Sequence, residues 1–178
     1  MNTTHQEPLT ASCPCGAVAF EAVGPSIISV ACYCKSCQEA GQRIAAMAQA
    51  PPVLRGDGGT DFVMHRKDRI RCVRGGEQLE AFRLSPSSTT RRFVAKCCNS
   101  PMALEFKGGH WLSLYRDRMP EGAPPLEERT MTAERPGGVE LLGDIPSYAG
   151  HSRRFMWRLM KAWAAMGFRN PKVEGLPA

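Results

Sequence analysis

The chain lacks any long hydrophobic run, because no stretch of its 178 residues approaches the roughly 20 consecutive apolar residues that cross a bilayer. Its first ten residues are polar and contain none of the apolar core that a secretory signal needs. We therefore expect a cytoplasmic protein, kept in a reducing compartment where thiols stay free. The paired C-x-x-C knuckles of zinc ribbons are missing too, and basic residues interleaved with aromatic ones are sparse before the last helix.

A strong excess of charge is also missing. The formal charge of +6 falls to about +3 if seven cysteines bind two zinc ions as thiolates. Such a modest value is weak support for a nucleic-acid partner, and we expect none. With 43% hydrophobic and 22% charged residues the composition is ordinary, which argues against wholesale disorder and predicts one domain with a real core.

Cysteine, by contrast, is abundant. Of the eight cysteines, seven fall into tight clusters with the patterns C-x-C, C-x-C-x-x-C and C-C. Disulfide partners are normally spread along a chain, whereas tight clusters are typical of metal sites. The clustered residues are Cys13, Cys15, Cys32, Cys34, Cys37, Cys97 and Cys98. The eighth, Cys72, stands alone in a β-like stretch, and we expect it to be a buried apolar cysteine.

The central cluster, Cys32, Cys34 and Cys37, is the strongest candidate for a reactive site. Three thiolates within six residues repel one another unless a cation compensates them, and zinc is the commonest ion with sulfur ligands. Three ligands leave a fourth position of a tetrahedral metal free, as in catalytic zinc sites. His65 and His110 are candidates for a fourth ligand, although isolated histidines are more often ordinary surface or core residues.

The remaining clusters, Cys13 with Cys15 and Cys97 with Cys98, could together close a four-thiolate structural zinc site. Its ligands would lie about 80 residues apart, so the metal would hold the fold together. Adjacent residues of a strand point to opposite faces, so both late cysteines can bind one metal only if the chain turns there. Asn99, which tolerates left-handed conformations, makes such a turn plausible. The alternative is that Cys13 and Cys15 are buried cysteines in a loop.

Taken in order, these motifs resemble the glutathione-dependent formaldehyde-activating enzyme family, which shares its domain with centromere protein V. Cys13-Pro14-Cys15-Gly16 matches the first family motif, the C-x-C-x-x-C cluster at residues 32–37 the second, and Cys98-Asn99-Ser100-Pro101 the end of the third. The resemblance covers residues 12–116. This chain departs from the family by having Ala95 at the first late cysteine, with Cys97 nearby instead. Tyr33 and Gln38 replace the His and Arg often found around the central motif.

The resemblance implies a mainly β, Mss4-like fold with one structural zinc and a second zinc at Cys32, Cys34 and Cys37. It implies that Cys13, Cys15 and Cys98 hold the structural zinc, with Cys97 standing in for the missing ligand. It further implies a carbon–sulfur lyase type of reaction on a small thiol adduct such as S-hydroxymethylglutathione, with glutathione and formaldehyde as its parts. Substrate carboxylates could meet basic side chains, of which the candidates are Arg83, Arg91, Arg92 and Lys96.

Local patterns predict short strands separated by Gly and Pro, and two helices. The strands are expected at 17–23, 27–32, 61–65, 69–73, 78–84, 91–96, 102–106 and 111–115, with a hairpin turn at Gly75-Gly76. A short helix is expected at 36–48 and a basic amphipathic one at 152–167, capped by Ser152. The chain then divides into a disordered leader (1–11), the zinc-binding domain (12–118), an irregular covering segment (119–150), and the C-terminal helix with its tail (151–178).

A second function remains open at this point. The chain could be a zinc-stapled binding module without catalysis, whose helix at 152–167 docks on a protein partner or an anionic membrane surface. In the competing interpretation, the apolar stripe Phe155, Leu159 and Trp163 covers the protein's own sheet.

Overall fold

The computed structural model describes residues 8–119 and 122–177, and this part of the chain is mainly β with a helix near each end. The mainly β class with a C-terminal helix is thus as predicted. The strands are β1 (Leu9–Ser12), β2 (Ala19–Ala22), β3 (Ile28–Cys32), β4 (Thr60–Arg66), β5 (Ile70–Arg74), β6 (Leu79–Phe82), β7 (Thr90–Ala95), β8 (Ser100–Phe106), β9 (Trp111–Tyr115) and β10 (Glu128–Thr130); the α-helices are α1 (Lys35–Ala45) and α2 (Arg153–Ala165).

The strands form two sheets. A three-stranded sheet has the order β1-β2-β5, and a seven-stranded sheet has the order β10-β3-β4-β9-β8-β7-β6. Neighbours are antiparallel except for β10, which runs parallel to β3 at the edge of the larger sheet. Chain segments far apart in sequence therefore meet throughout, which places the early and late cysteines within reach of each other.

Side chains of the central strands point alternately to the two faces of the larger sheet, which divides the core in two. Phe62 and Met64 of β4 face α1 and α2, whereas Val63 between them packs between the two sheets. The core between the sheets contains Phe20, Phe93, Met102, Leu112 and Leu114. The opposite face of the larger sheet carries the helices and the central cysteine cluster.

Three local predictions were wrong. The leader was expected to extend to residue 11, but Leu9–Ser12 pairs antiparallel with β2; residues 1–7 of that leader lie outside the described residues. Gly75 and Gly76 do not join a hairpin, because β5 pairs with β2 and β6 with β7, in different sheets. The segment 119–150 is not wholly irregular, since it contributes β10.

Ser152 caps helix α2 as predicted: its hydroxyl accepts a hydrogen bond from the Phe155 backbone N–H at 2.9 Å. Phe155 and Leu159 are buried against the larger sheet, so this helix packs on the protein itself. In the described part of the chain, no helix combines the length and the apolar character that crossing a membrane requires.

Candidate metal centres

The first cluster brings four thiols together from two distant turns. The sulfur atoms of Cys13, Cys15, Cys97 and Cys98 all lie within 4.8 Å of one another. The Sγ–Sγ distances include 3.4 Å for Cys13–Cys15, 3.2 Å for Cys15–Cys97 and 3.8 Å for Cys97–Cys98. A tetrahedral zinc with Zn–S bonds of about 2.3 Å separates its sulfurs by about 3.8 Å. The four thiols can therefore hold a metal ion with little rearrangement, and their softness suits zinc.

A turn makes this cluster possible. Asn99 has a left-handed backbone (φ 50°), and Cys98 N–H donates to the Ala95 carbonyl at 3.3 Å. The chain thus bends between β7 and β8, so that both neighbouring cysteines face the same point, as the sequence suggested. Cys13 and Cys15 lie in the turn from β1 to β2 of the other sheet. A metal here would join the two sheets.

The second cluster is built by the end of a strand and the start of a helix. Every second side chain of β3 points to the face that packs against the helices; these are Ile28, Val30 and Cys32. Cys34 is the N-cap of α1, and its sulfur accepts a hydrogen bond from Cys37 N–H at 3.4 Å. Cys37 follows in the first helical turn, so the three sulfurs lie within 4.8 Å of one another.

Without a metal, this cluster favours a single negative charge. Hydrogen bonds from the thiols of Cys32 and Cys37 hold the pKa of Cys34 far below its ordinary value. The same contacts, with burial, hold the pKa of Cys32 far above it. Binding of a metal would require the other two thiols to lose their protons as well. The donor set is three soft sulfurs, and among the described residues no histidine or carboxylate completes the group.

Arg92 supplies the positive charge beside this cluster. Its side chain is 1% exposed, and Nη2 donates to both the carbonyl and the hydroxyl of Ser36 at 3.0 Å. Ser36 lies between Cys34 and Cys37, so the guanidinium sits against the helix start. Its Nε and Nη1 have no hydrogen-bond partner among the described residues. Because these two nitrogens are buried, the guanidinium acts on the cluster chiefly through its charge.

The three thiols open into a cavity of about 430 Å³ between the larger sheet and α2. Strands β3, β4, β8 and β9 form its floor, and Arg92 of β7 reaches it from the side. Its other wall comes from the C-terminal third of the chain, with Met131, His151, Phe155 and Leu159. The C-terminal helix is therefore part of the site, which sequence reasoning did not foresee.

His151, which lines the cavity, was not among the residues that the sequence predicted for the site. Thr130 Oγ donates its single proton to the Gly150 carbonyl at 3.0 Å, so it accepts from His151 Nδ1, 2.8 Å away. This leaves Nε2 of a neutral His151 with a free lone pair. The ring stacks on Phe155 with centroids 4.6 Å apart. No local motif marks His151, because only the pairing of β10 with β3 brings it to the cavity.

The two histidines considered as fourth ligands lie elsewhere. His65 alternates with Met64, does not line the cavity, and belongs to neither cluster. His110 Nε2 is 2.9 Å from the Leu159 carbonyl and its ring stacks on Trp163, so it fastens α2 to the β8–β9 turn. Cys72 also lies outside both clusters; it is partly buried, and its thiol donates to the Arg74 carbonyl at 3.3 Å.

Of the four basic residues considered for substrate carboxylates, Arg92 alone lines this cavity. Arg91 points the other way and binds Glu105, while Arg83 donates to the Ser88 carbonyl at 2.7 Å. Lys96 is exposed and lies in the turn after β7. Successive side chains of a strand point to opposite faces of the sheet, which is why Arg92 faces the cavity and Arg91 does not.

Fold and site together define a mainly β protein with two cysteine clusters able to hold metal ions. The chain belongs to a family described as a family of unknown function (DUF6151), whose pattern matches residues 5–115. No curated protein matches the chain. Among solved structures, a crystal structure of a Rhodobacter sphaeroides protein, a structural genomics target, is similar with a TM-score of 0.47 and 18% identity; the match covers 78% of this chain and 99% of that one.

Proposed function

We propose that the chain is a zinc protein in which Cys13, Cys15, Cys97 and Cys98 hold a structural ion and Cys32, Cys34 and Cys37 an open, reactive one. The observation that carries this proposal is the difference between the clusters. Four thiols are grouped in the first, whereas the second has three and faces a cavity. Zinc in the second cluster would supply a Lewis acid with one free position for a thiolate.

The proposed reaction is that of a carbon–sulfur lyase on a small thiol adduct. The resemblance to the formaldehyde-activating family suggests S-hydroxymethylglutathione as the reference compound. In its formation, the thiol sulfur bonds to the carbonyl carbon of formaldehyde and the thiol proton ends on the oxygen; the reverse reaction breaks the same carbon–sulfur bond. His151 lines the cavity and bonds to Thr130 through Nδ1, which leaves its Nε2 as the candidate to accept the thiol proton. The buried guanidinium of Arg92 places a positive charge beside the thiols, which favours negative charge there.

Metal content and thiol exchange test this proposal together. We expect two zinc ions per chain, one ion after Cys34→Ala, and release of formaldehyde from a thiol adduct by the native protein but not by Cys34→Ala. Cys72→Ala is the matched control, because its thiol lies outside both clusters. One ion in the native protein, or two ions with no binding and no turnover of any thiol adduct, would contradict the proposal.

A second candidate, the binding module, is favoured by the outer face of α2. Met156, Trp157 and Met160 are about half exposed or more, beside Arg153 and Lys161. An apolar stripe with basic neighbours suits an anionic membrane surface. Sedimentation with phosphatidylserine vesicles would test it, comparing the native chain with Trp157→Ser. The full chain is needed, because truncation at residue 152 would also remove a wall of the cavity.

A further inference from the structure

The walls of the cavity beside Cys32, Cys34 and Cys37 are almost entirely apolar. They include Val30, Phe62, Met64, Leu104, Trp111 and Leu159. Phe62 and Met64 are each 4% exposed, so the floor is made of well-packed side chains rather than of mobile surface groups. A cavity of about 430 Å³ is within the usual range for small-molecule sites. A ligand that fills it gains free energy chiefly by burying apolar surface.

Charge is scarce in this cavity. Of the described lining residues, Arg92 is the one with a permanent charge, and its unpartnered Nε and Nη1 are buried. The remaining polar side chains are the hydroxyls of Ser36, Thr90, Ser113 and Thr130 and the imidazole of His151. The site therefore offers one fixed positive charge, at the thiol end, and none further along the cavity.

This distribution disagrees with glutathione as the occupant. Glutathione carries two carboxylates and an ammonium group, and burying a charge without a partner is strongly unfavourable. A single guanidinium could satisfy one carboxylate at most. An apolar thiol has no such requirement, because its sulfur is its one polar group.

We propose that the ligand of this cavity is a thiol, or the aldehyde adduct of a thiol, whose body is an aryl or alkyl group of roughly ten heavy atoms. This proposal rests on the open metal centre proposed above and specifies its substrate class. The sulfur lies at the three-cysteine end beside Arg92, and the apolar body extends towards Leu104, Trp111 and the α2 wall.

Binding to the cobalt-substituted protein tests the substrate class without relying on activity. The visible absorption of Co²⁺ held by thiolates responds to a new sulfur ligand, and calorimetry with the zinc protein gives an independent dissociation constant. We expect 2-phenylethanethiol to bind at least about tenfold more tightly than glutathione, since burial of its ring and two methylenes is worth well over 1.4 kcal/mol.

Two substitutions locate the contact. Leu104→Asn places an uncharged amide in the apolar wall at a half-buried position, and Met156→Glu places a charge at the 53% exposed mouth. Both should weaken 2-phenylethanethiol about tenfold or more while leaving the cobalt spectrum of the thiol-free protein unchanged. Leu142→Arg is the control, at a position that is 70% exposed and outside the cavity. It should change neither the binding of 2-phenylethanethiol nor the cobalt spectrum.

Failure of this proposal can be told apart from failure of the proposed function. If glutathione binds as tightly as 2-phenylethanethiol, or if neither wall substitution weakens the apolar thiol, the substrate class is wrong while the open centre stands. If no thiol alters the spectrum of cobalt in the three-cysteine cluster, both are wrong. Tighter binding of the apolar thiol that both wall substitutions reduce would support the inference.

Discussion

Arg92 is the residue on which the charge balance of the central cluster depends. Three thiolates around a divalent ion carry a net charge of −1, and the buried guanidinium beside Ser36 compensates it. We expect Arg92→Met to weaken metal binding at this cluster by about 3 kcal/mol or more, or at least roughly 150-fold, as removal of one partner of a buried charge pair does. Competition with a chromophoric chelator measures the change.

The neighbouring Arg91→Met is the matched control for this prediction. Arg91 bonds to Glu105, which keeps its contact with Lys67 at 2.7 Å after the change, and it does not line the cavity. Equal metal affinities of the two variants would mean that the charge of Arg92 does not act on the thiolates.

His65 is a buried histidine that works against stability in acid. It is 1% exposed, and neither ring nitrogen has a partner in the described part of the chain. Burial, with a smaller contribution from Arg69, lowers the pKa of His65 to about 4. The unfolded chain takes up this proton near pH 6.5 and the folded chain only near pH 4. Stability is therefore lost as the pH falls through this window.

We expect His65→Leu to be more stable than the native chain, with a gap in the free energy of unfolding that widens by about 2 kcal/mol from pH 7 to pH 5. Denaturant unfolding of both proteins at saturating zinc measures the gap. Protonation of the thiols affects both chains alike, so the difference isolates His65. Curves that stay parallel between these pH values would contradict the burial argument.

For single residues, the sequence predicted which cysteines group together better than it predicted the residues around them. The grouping of Cys13, Cys15, Cys97 and Cys98 was accessible because tight spacing and a turn-forming Asn99 are local signals. The choice of Arg92 over Arg91, and the presence of His151, depend on the register of β7 and on the β10–β3 pairing. Such register is set by contacts between segments distant in sequence.

Among the elements, α2 depends on one side chain at its start. The Ser152 hydroxyl accepts from Phe155 N–H and faces both carboxylate oxygens of Glu128, a residue that is 1% exposed, at 2.9 Å. Ser152→Ala would remove the cap and deprive a buried carboxylate of a donor. We expect a loss of about 2 kcal/mol in the free energy of unfolding, measured by denaturant titration.

Ser87→Ala, in the exposed loop before β7, is the control and should cost less than about 0.5 kcal/mol. Because α2 forms a wall of the cavity, thiol binding should weaken in Ser152→Ala as well. A variant that keeps native stability would show that the Ser152–Glu128 contact contributes nothing net.

Strand positions were largely predictable, but strand partners were not. Gly and Pro breakers delimit β3, β4, β7, β8 and β9 within a few residues of the predicted bounds. The short β1 and β10 have too few residues to show a pattern. The expected β5–β6 hairpin failed because Gly75, with φ 70°, lies against the Ala17 carbonyl, in a turn that carries the chain from one sheet to the other.

For the whole molecule, the four-cysteine cluster spans the two sheets, because its cysteines come from the β1–β2 turn and the β7–β8 turn. A metal that binds only the folded chain stabilises it by mass action, by about 4 kcal/mol when free metal exceeds its dissociation constant a thousandfold. We therefore expect Cys15→Ser to lose about 4 kcal/mol or more at saturating zinc. After complete chelation the free energy of unfolding of Cys15→Ser should match that of the native chain, because Cys15 is exposed and a serine there leaves no cavity.

Cys72→Ser is the matched control and should keep the full stabilisation by zinc. Equal stabilisation of Cys15→Ser and the native chain by zinc would show that the sheets are held by their apolar core alone.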